Sequence, residues 1–221
     1  MSRPSAGSRS TPVSSNSGAL DALRSADEVI ARLIDEFGSP DEVLRRRGRR
    51  PGDAYGALLR SIVGQQLSTK AARTIYERLI ELFGGRAPTP AELLEADPES
   101  IRGAGLSRPK VAYLRDLAEH VEDGELELDR LAELPDEEVS AQLTAVKGLG
   151  QWTADMFLIF HLGRPDVLPV GDLGIRRAVE GLYGLAELPA AAELEQIAEP
   201  WRPHRSLACL YLWRSLDNAP A

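Results

Sequence analysis

The residue of this chain with the clearest chemical potential is an aspartate that precedes an apolar helical pattern. Asp172 follows Pro169-Val170-Gly171, and Ile175, Val179 and Leu182 continue after it at helical spacing. The commonest role of such an aspartate is to cap the helix N-terminus. The same position also suits catalysis, because exposed N–H groups and the helix dipole stabilise an ionised carboxylate there. A fixed carboxylate stabilises positive charge that develops on a substrate, or orients and deprotonates a water molecule.

A glycine hairpin stands a short way before this aspartate. Gly148 and Gly150 flank a single leucine, so the backbone can turn sharply there and expose its N–H groups. Helical spacing resumes directly after the hairpin, in Trp152, Met156, Ile159 and Phe160. A helix that begins here provides a seat for a phosphate group, with the charge of Lys147 beside it. By itself, a Gly-x-Gly between two helices is most often only a turn.

Sequence motifs in a fixed order resemble the helix–hairpin–helix superfamily of DNA glycosylases, and within it the DNA-3-methyladenine glycosylase II branch. The resemblance runs from about Tyr55 to Trp213. The motifs are S-I-V-G-Q-Q-L-S-T-K-A-A (Ser61 to Ala72), A-G-L-S-R-P-K-V-A-Y-L (Ala104 to Leu114), V-K-G-L-G-Q-W-T-A followed by L-P-V-G-D-L-G-I-R-R-A, and W-R-P-H-R-S-L-A-C-L-Y-L-W (Trp201 to Trp213).

This resemblance implies a base-excision enzyme that hydrolyses the N-glycosidic bond between an alkylated purine and its sugar. Asp172 matches the family's catalytic aspartate, and Trp152 and Trp213 match positions of its aromatic base pocket. Met156 stands where a further pocket aromatic is expected. Ring faces attract cationic bases such as 3-methyladenine and 7-methylguanine, which are good leaving groups and need no general acid. The enzyme must flip the base out of the duplex to reach it.

The resemblance also implies two DNA-binding turns. The loop of Gln65, Gln66 and Leu67 is expected to enter the minor groove of double-stranded DNA, with Gln66 in place of the family's inserting side chain. At the hairpin, the implied phosphate-binding groups are Lys147 and the amides of Gly148, Gly150 and Thr153.

No cofactor is required by the chemistry that the resemblance implies. The hairpin is expected to bind Na⁺ or K⁺ through backbone carbonyls, which are those of Thr144, Val146 and Gly148. Cys209 is the single cysteine, so a four-cysteine iron–sulfur cluster is excluded. Bifunctional relatives carry a lysine where this chain has Trp152, and without an amine nucleophile there is no Schiff base. We therefore expect a monofunctional glycosylase.

Composition sets the remaining expectations. The chain has 221 residues, 43% of them hydrophobic, and no window approaches the roughly 20 apolar residues of a membrane span. A net charge of −8 argues against nonspecific coating of DNA and favours weak, salt-sensitive binding. We expect a monomer without membrane contact, located in the cytoplasm, or in the nucleus of a eukaryote.

Helical periodicity without any useful stretch of alternating polarity predicts an all-α fold. We expect two helical lobes with a DNA- and base-binding cleft between them and the hairpin at residues 144–153. Lobe A would comprise about 19–65 and 168–221, and lobe B about 66–167. Residues 1–18, rich in Ser, Pro and Gly, predict a disordered tail.

Two other functions remain open at this point. One is a glycosylase for another lesion class, such as deaminated or etheno purines. The other is a noncatalytic helix–hairpin–helix module that binds damaged DNA. Asp172 argues against the module, because pure binding has no need of an ionised carboxylate.

Overall fold

A computed structural model describes residues 14–40 and 53–217, and every regular element within these ranges is helical. The all-α prediction is therefore confirmed. The α-helices are α1 (Ser14–Ala26), α2 (Glu28–Phe37), α3 (Ala54–Gly64), α4 (Thr69–Glu81), α5 (Pro90–Glu95), α6 (Pro98–Gly103), α7 (Arg108–Glu122), α8 (Asp136–Ala145), α9 (Gln151–Phe157), α10 (Leu173–Tyr183), α11 (Ala191–Ala198) and α12 (Arg205–Leu216). None of the described helices is both long and apolar enough to cross a membrane.

The chain divides into two compact units, and the division differs from the predicted lobes. One unit is Met1–Gly48 with Asp172–Ala221, and the other is Arg49–Gly171. The prediction assigned α3 to the first lobe, whereas α3 packs against α4, α7 and α9 of the second unit. Its apolar face is fully buried there, including Leu59 and Ile62. The boundary between the two units therefore lies before α3 and not at the polar loop after it, because the apolar face of α3 is buried in the second unit.

The first helix begins within the segment that was predicted to be a disordered tail. Residues 1–13 lie outside the described ranges, but the chain is already helical from Ser14. Ala19 and Leu23 on α1 are buried, and α1 packs against α2. Two apolar side chains with a helical partner are enough to order residues whose composition alone favours disorder.

The first unit is held by a part-buried carboxylate at the start of α2. Asp27 Oδ1 accepts hydrogen bonds from the amides of Val29 (2.8 Å) and Ile30 (3.0 Å), which caps the helix. Its Oδ2 accepts from the Tyr183 hydroxyl (2.6 Å) and from Trp201 Nε1 (2.8 Å). Burial, with the hydrogen bond to Asp27, raises the pKa of Tyr183 above its ordinary value. One side chain thus joins α2 to α10 and to the 3₁₀ turn Glu199–Trp201.

The second unit is arranged around α7, which packs against α3, α5 and α6. α8 and α9 form the helix pair on either side of the glycine hairpin. α9 runs directly into a π-helical turn, Leu158–Leu162, which ends at Gly163 in the left-handed conformation. Such turns re-aim side chains and occur frequently at functional sites.

Replacement of Asp27 tests this description of the first unit. Asp27→Ala removes the cap and leaves the Tyr183 and Trp201 donors unpaired, so we expect a loss of about 2–4 kcal/mol in the free energy of unfolding. Tyr183→Phe removes only one bond and should cost about 1 kcal/mol. Asp97→Ala provides the control, since Asp97 is an exposed cap that bonds Ser100, and it should also cost about 1 kcal/mol. Urea denaturation followed by circular dichroism measures all three. Equal losses for the two aspartate variants would contradict the role given to Asp27.

Candidate active site

The carboxylate of Asp172 is fixed by two donors from its own unit. Asp172 caps α10, and its Oδ1 accepts from the Ile175 amide at 2.8 Å. Trp213 Nε1, from α12, donates to the same oxygen at 2.9 Å. Asp172 is 9% exposed and Trp213 is 4% exposed. A carboxylate held by an amide at a helix N-terminus and by a buried indole has a fixed orientation.

A glycine of α10 allows this close arrangement. A Cβ at Gly174 would lie 3.0 Å from Asp172 Oδ1 and 3.3 Å from Trp213 Cδ1. The helix can therefore approach both side chains only because position 174 has no side chain. Gly174 stands in the quoted L-P-V-G-D-L-G motif, but its role was not predicted.

Trp213 makes a hydrogen bond to Asp172 that its predicted pocket role does not include. The sequence places it among the base-pocket residues with Trp152 and Met156. In the structure its ring is buried and its N–H group serves the Asp172 carboxylate. We therefore interpret Trp213 first as the residue that orients Asp172; contact with a base stays a prediction.

The glycine hairpin forms as predicted between α8 and α9. Gly148 has φ +85°, and a Cβ there would lie 2.3 Å from Tyr113 Cδ2, so both the conformation and the packing require glycine. Among the described residues, the Gly148 and Gly150 amides donate to no protein acceptor. The third predicted donor differs: the Thr153 amide bonds the Gly150 carbonyl at 2.9 Å. The hairpin therefore offers the two glycine amides.

Both the side chain and the backbone amide of Lys147 bond Asp116. Its Nζ lies 2.7 Å from Asp116 Oδ1, and its amide donates to Asp116 Oδ2 at 2.8 Å. Burial acts to raise the pKa of Asp116, but the hydrogen bonds from Lys147 outweigh it and lower that pKa. The hydrogen bond and charge of Asp116 raise the pKa of Lys147. The ammonium is thus largely neutralised by a buried carboxylate, and its predicted attraction for phosphate is weakened accordingly.

The predicted carbonyl ligands for a monovalent ion are Thr144, Val146 and Gly148. The Val146 carbonyl accepts from the Leu149 amide at 3.1 Å, and the Gly148 carbonyl accepts from Gln65 Nε2 at 2.6 Å. A carbonyl oxygen has two lone pairs, so each of these bonds leaves one acceptor position on its oxygen. Binding of Na⁺ or K⁺ stays a prediction, and no step below depends on it.

The predicted groove-entering loop divides into an anchored and an exposed part. Gln65 is half-buried and donates to the hairpin at Gly148. Gln66 and Leu67 are exposed, and Leu67 is among the exposed large apolar residues of the described chain. Gln66 has φ +58°, a left-handed conformation that side chains other than glycine rarely adopt. Strained residues of this kind cluster at functional sites, which favours Gln66 as the inserting side chain.

Trp152 and Met156 lie one helical turn apart on α9. Trp152 is 47% exposed, unusual for so large an apolar ring. Met156 borders a small, partly open cavity whose other lining residues include Ser61, Phe160 and His161. The His161 ring stacks on Phe157 at 4.6 Å, and burial lowers the pKa of His161. His161 lies in the π-helical turn and was not among the predicted site residues.

Three comparisons with known proteins agree with this geometry. Residues 59–203 match the model of the HhH-GPD superfamily base excision DNA repair proteins. DNA-3-methyladenine glycosylase 1 of Schizosaccharomyces pombe is 34% identical over 87% of this chain and 84% of its own. A putative DNA-3-methyladenine glycosylase of Bacillus subtilis, YfjP, is 32% identical over 74% of this chain; the chain spans only 59% of that relative.

Solved structures give the same result for the fold. The S. pombe 3-methyladenine DNA glycosylase Mag1, in complex with abasic DNA, has a TM-score of 0.77 at 33% identity and covers 91% of this chain and 98% of its own. A DNA-3-methyladenine glycosidase of Bacillus halodurans has a TM-score of 0.71 at 37% identity, over 87% and 90% of the two chains. The capped aspartate, the glycine hairpin and these matches together show that the chain belongs to the HhH-GPD superfamily of base excision DNA repair proteins.

Proposed function

We propose that this protein is a monofunctional DNA glycosylase of base excision repair that removes alkylated purines of the 3-methyladenine and 7-methylguanine type. The observation that carries the proposal is the Asp172 carboxylate, held by the Ile175 amide and Trp213 Nε1. The relatives named DNA-3-methyladenine glycosylase support the substrate class. A module that only binds DNA has no use for such a carboxylate.

Asp172 supplies the electrostatic part of the reaction. As the N-glycosidic bond breaks, positive charge develops on the sugar, and an oriented anion stabilises it without reorganising. Water then completes the hydrolysis, and the carboxylate can orient it or accept its proton. The leaving base is already cationic when alkylated at N3 or N7, so it departs as a neutral purine without protonation.

The hairpin and the loop are proposed to bind double-stranded DNA. The Gly148 and Gly150 amides offer two donors to one phosphate, a contact that positions the backbone without reading sequence. Gln66 and Leu67 are proposed to fill the gap that the flipped nucleotide leaves. Trp152 and Met156 are proposed to contact the flipped base, whose charge an aromatic face attracts.

Strand cleavage is not part of the proposed activity. The lysines of the chain are Lys70, Lys110 and Lys147. Lys110 donates to two backbone carbonyls, and Lys147 is paired with Asp116. A Schiff base requires an amine nucleophile at the sugar, and the position where bifunctional relatives carry that lysine is Trp152 in this chain.

Asp172→Asn is the direct test of the chemistry. Because asparagine lacks the charge that stabilises the transition state, we expect the single-turnover release of 7-methylguanine to fall by about 10²–10³-fold. Binding to abasic DNA should persist. The measurement is base release from methylated duplex DNA, with strand nicking followed on a denaturing gel. Full activity in the variant, or nicking by the wild type without added alkali, would contradict the proposal.

The packing at Gly174 gives a second test with a control on the same helix. Gly174→Ala pushes a methyl group against Asp172 Oδ1 and the Trp213 ring, so we expect excision to fall about tenfold or more as the carboxylate is displaced. Gly181→Ala meets nothing within 4 Å and should keep wild-type activity. It should also raise stability by up to about 1 kcal/mol, as expected for alanine in a helix. The measurements are the excision rates and melting temperatures of both variants. Equal activity of the two would contradict a role for Gly174 in positioning Asp172.

A further inference from the structure

One face of α7 contacts both turns that are proposed to bind DNA. Lys110, Tyr113 and Asp116 follow one another at intervals of three residues, so they form a stripe along one side of the helix. Lys110 Nζ donates to the carbonyls of Val63 (2.8 Å) and Gln65 (2.6 Å), at the end of α3 and the start of the exposed loop. Tyr113 packs against Gly148, and Asp116 bonds Lys147.

The two turns are also bonded to each other. Gln65 Nε2 donates to the Gly148 carbonyl at 2.6 Å, although 83 positions separate the two residues in the chain. The loop thus has a side-chain bond to the hairpin and one backbone bond to Lys110, which also holds the last turn of α3 through the Val63 carbonyl. Directly after these anchors comes Gln66 at φ +58°. A left-handed conformation in a residue other than glycine persists only when the surroundings over-determine it.

Lys110 is well suited to hold this conformation. Carbonyls at the end of a helix carry partial negative charge, and a cation there is favourable. The side chain is half-buried against them, and burial lowers the pKa of Lys110. Its ammonium has two of its three donors committed to the backbone, one at the end of α3 and one at the start of the loop. Lys110 therefore faces the protein, whereas Lys70, at the start of α4, is exposed.

We propose that Lys110 is a positioning residue for base extrusion: it holds the loop Gln65–Ser68 so that Gln66 enters the duplex while the hairpin holds the phosphate backbone. The proposal rests on the proposed glycosylase function and adds to it a residue that touches neither base nor phosphate. Loss of Lys110 should impair extrusion and leave the chemical step at Asp172 intact.

The rival role for Lys110 is a phosphate contact, and paired and unpaired lesions separate the two roles. Extrusion is costly for a base in a pair and cheap for one that is already unpaired. A loop defect should therefore slow excision from a duplex much more than from a bulge. A lost phosphate contact weakens binding to both substrates alike.

The experiment measures single-turnover excision of 7-methylguanine opposite cytosine and of 7-methylguanine in a one-nucleotide bulge. For Lys110→Met we expect about a tenfold loss or more on the paired lesion and less than about threefold on the bulge. Lys70→Met, the charge-matched control, should affect both substrates equally. Melting temperatures confirm that each variant is folded. Gln65→Met removes the bond to Gly148 and should likewise slow excision of the paired lesion more than excision from the bulge. If Lys110→Met does not fold, this variant provides the test.

A spectroscopic readout follows extrusion without chemistry. In an Asp172→Asn background, 2-aminopurine beside the lesion brightens when its neighbour leaves the stack, and Lys110→Met should reduce that signal. Equal losses on both substrates, no loss at all, or an unchanged 2-aminopurine signal would overturn the role of Lys110. Failure of the wild type to release 7-methylguanine from either substrate would instead overturn the proposed function.

Discussion

The structure of the site depends on one carboxylate oxygen that accepts two hydrogen bonds. Asp172 Oδ1 receives the Ile175 amide and Trp213 Nε1, which come from two helices, α10 and α12. Both donors are fixed, one by the helix backbone and one by a buried indole, so the carboxylate is oriented before any substrate arrives. Preorganisation of this kind is what makes an electrostatic contribution to catalysis large, because nothing has to rearrange as the charge develops. The requirement extends to Gly174, whose missing side chain allows the aspartate and the tryptophan to approach.

A part-buried aspartate, Asp27, has comparable bonds, and the contrast between the two shows why capping alone does not identify a catalytic residue. Asp27 also caps a helix and also accepts from a tryptophan indole, yet its second oxygen is bound by Tyr183. Two of its four hydrogen bonds close the N-terminus of α2, and the other two join α2 to α10 and to the Glu199–Trp201 turn, which is a structural task. The two sites therefore have similar hydrogen-bond patterns and different purposes. Only the family motif around Asp172, together with the fold match, separates them.

Much of this could be predicted from the sequence, namely the features that depend on local pattern. The helices follow from apolar spacing, the hairpin from Gly148 and Gly150, and the cap at Asp172 from its place before an apolar face. What could not be predicted depends on contacts between distant parts of the chain. The bond from Gln65 to Gly148, the pairing of Lys147 with Asp116 and the indole bond of Trp213 join residues that no local pattern relates. The π-helical turn that places His161 on the cavity wall has no sequence signal either, and α3 was assigned to the other lobe because its contacts with α7 and α9 join distant parts of the chain.

These long-range contacts change how the charged residues of the second unit are interpreted. A lysine beside a phosphate-binding turn is usually assumed to contact the phosphate, and here Lys147 and Lys110 both bond protein groups instead. With a net charge of −8, the chain has little general attraction for DNA, and the proposed binding gives directed backbone amides a part beside that of cations. Amides contribute only if their turns are held in place. According to the proposal, the two lysines support DNA binding indirectly, because they fix the backbone of the hairpin and of the loop. Through these contacts α7 holds the exposed Gln66 and Leu67 in place.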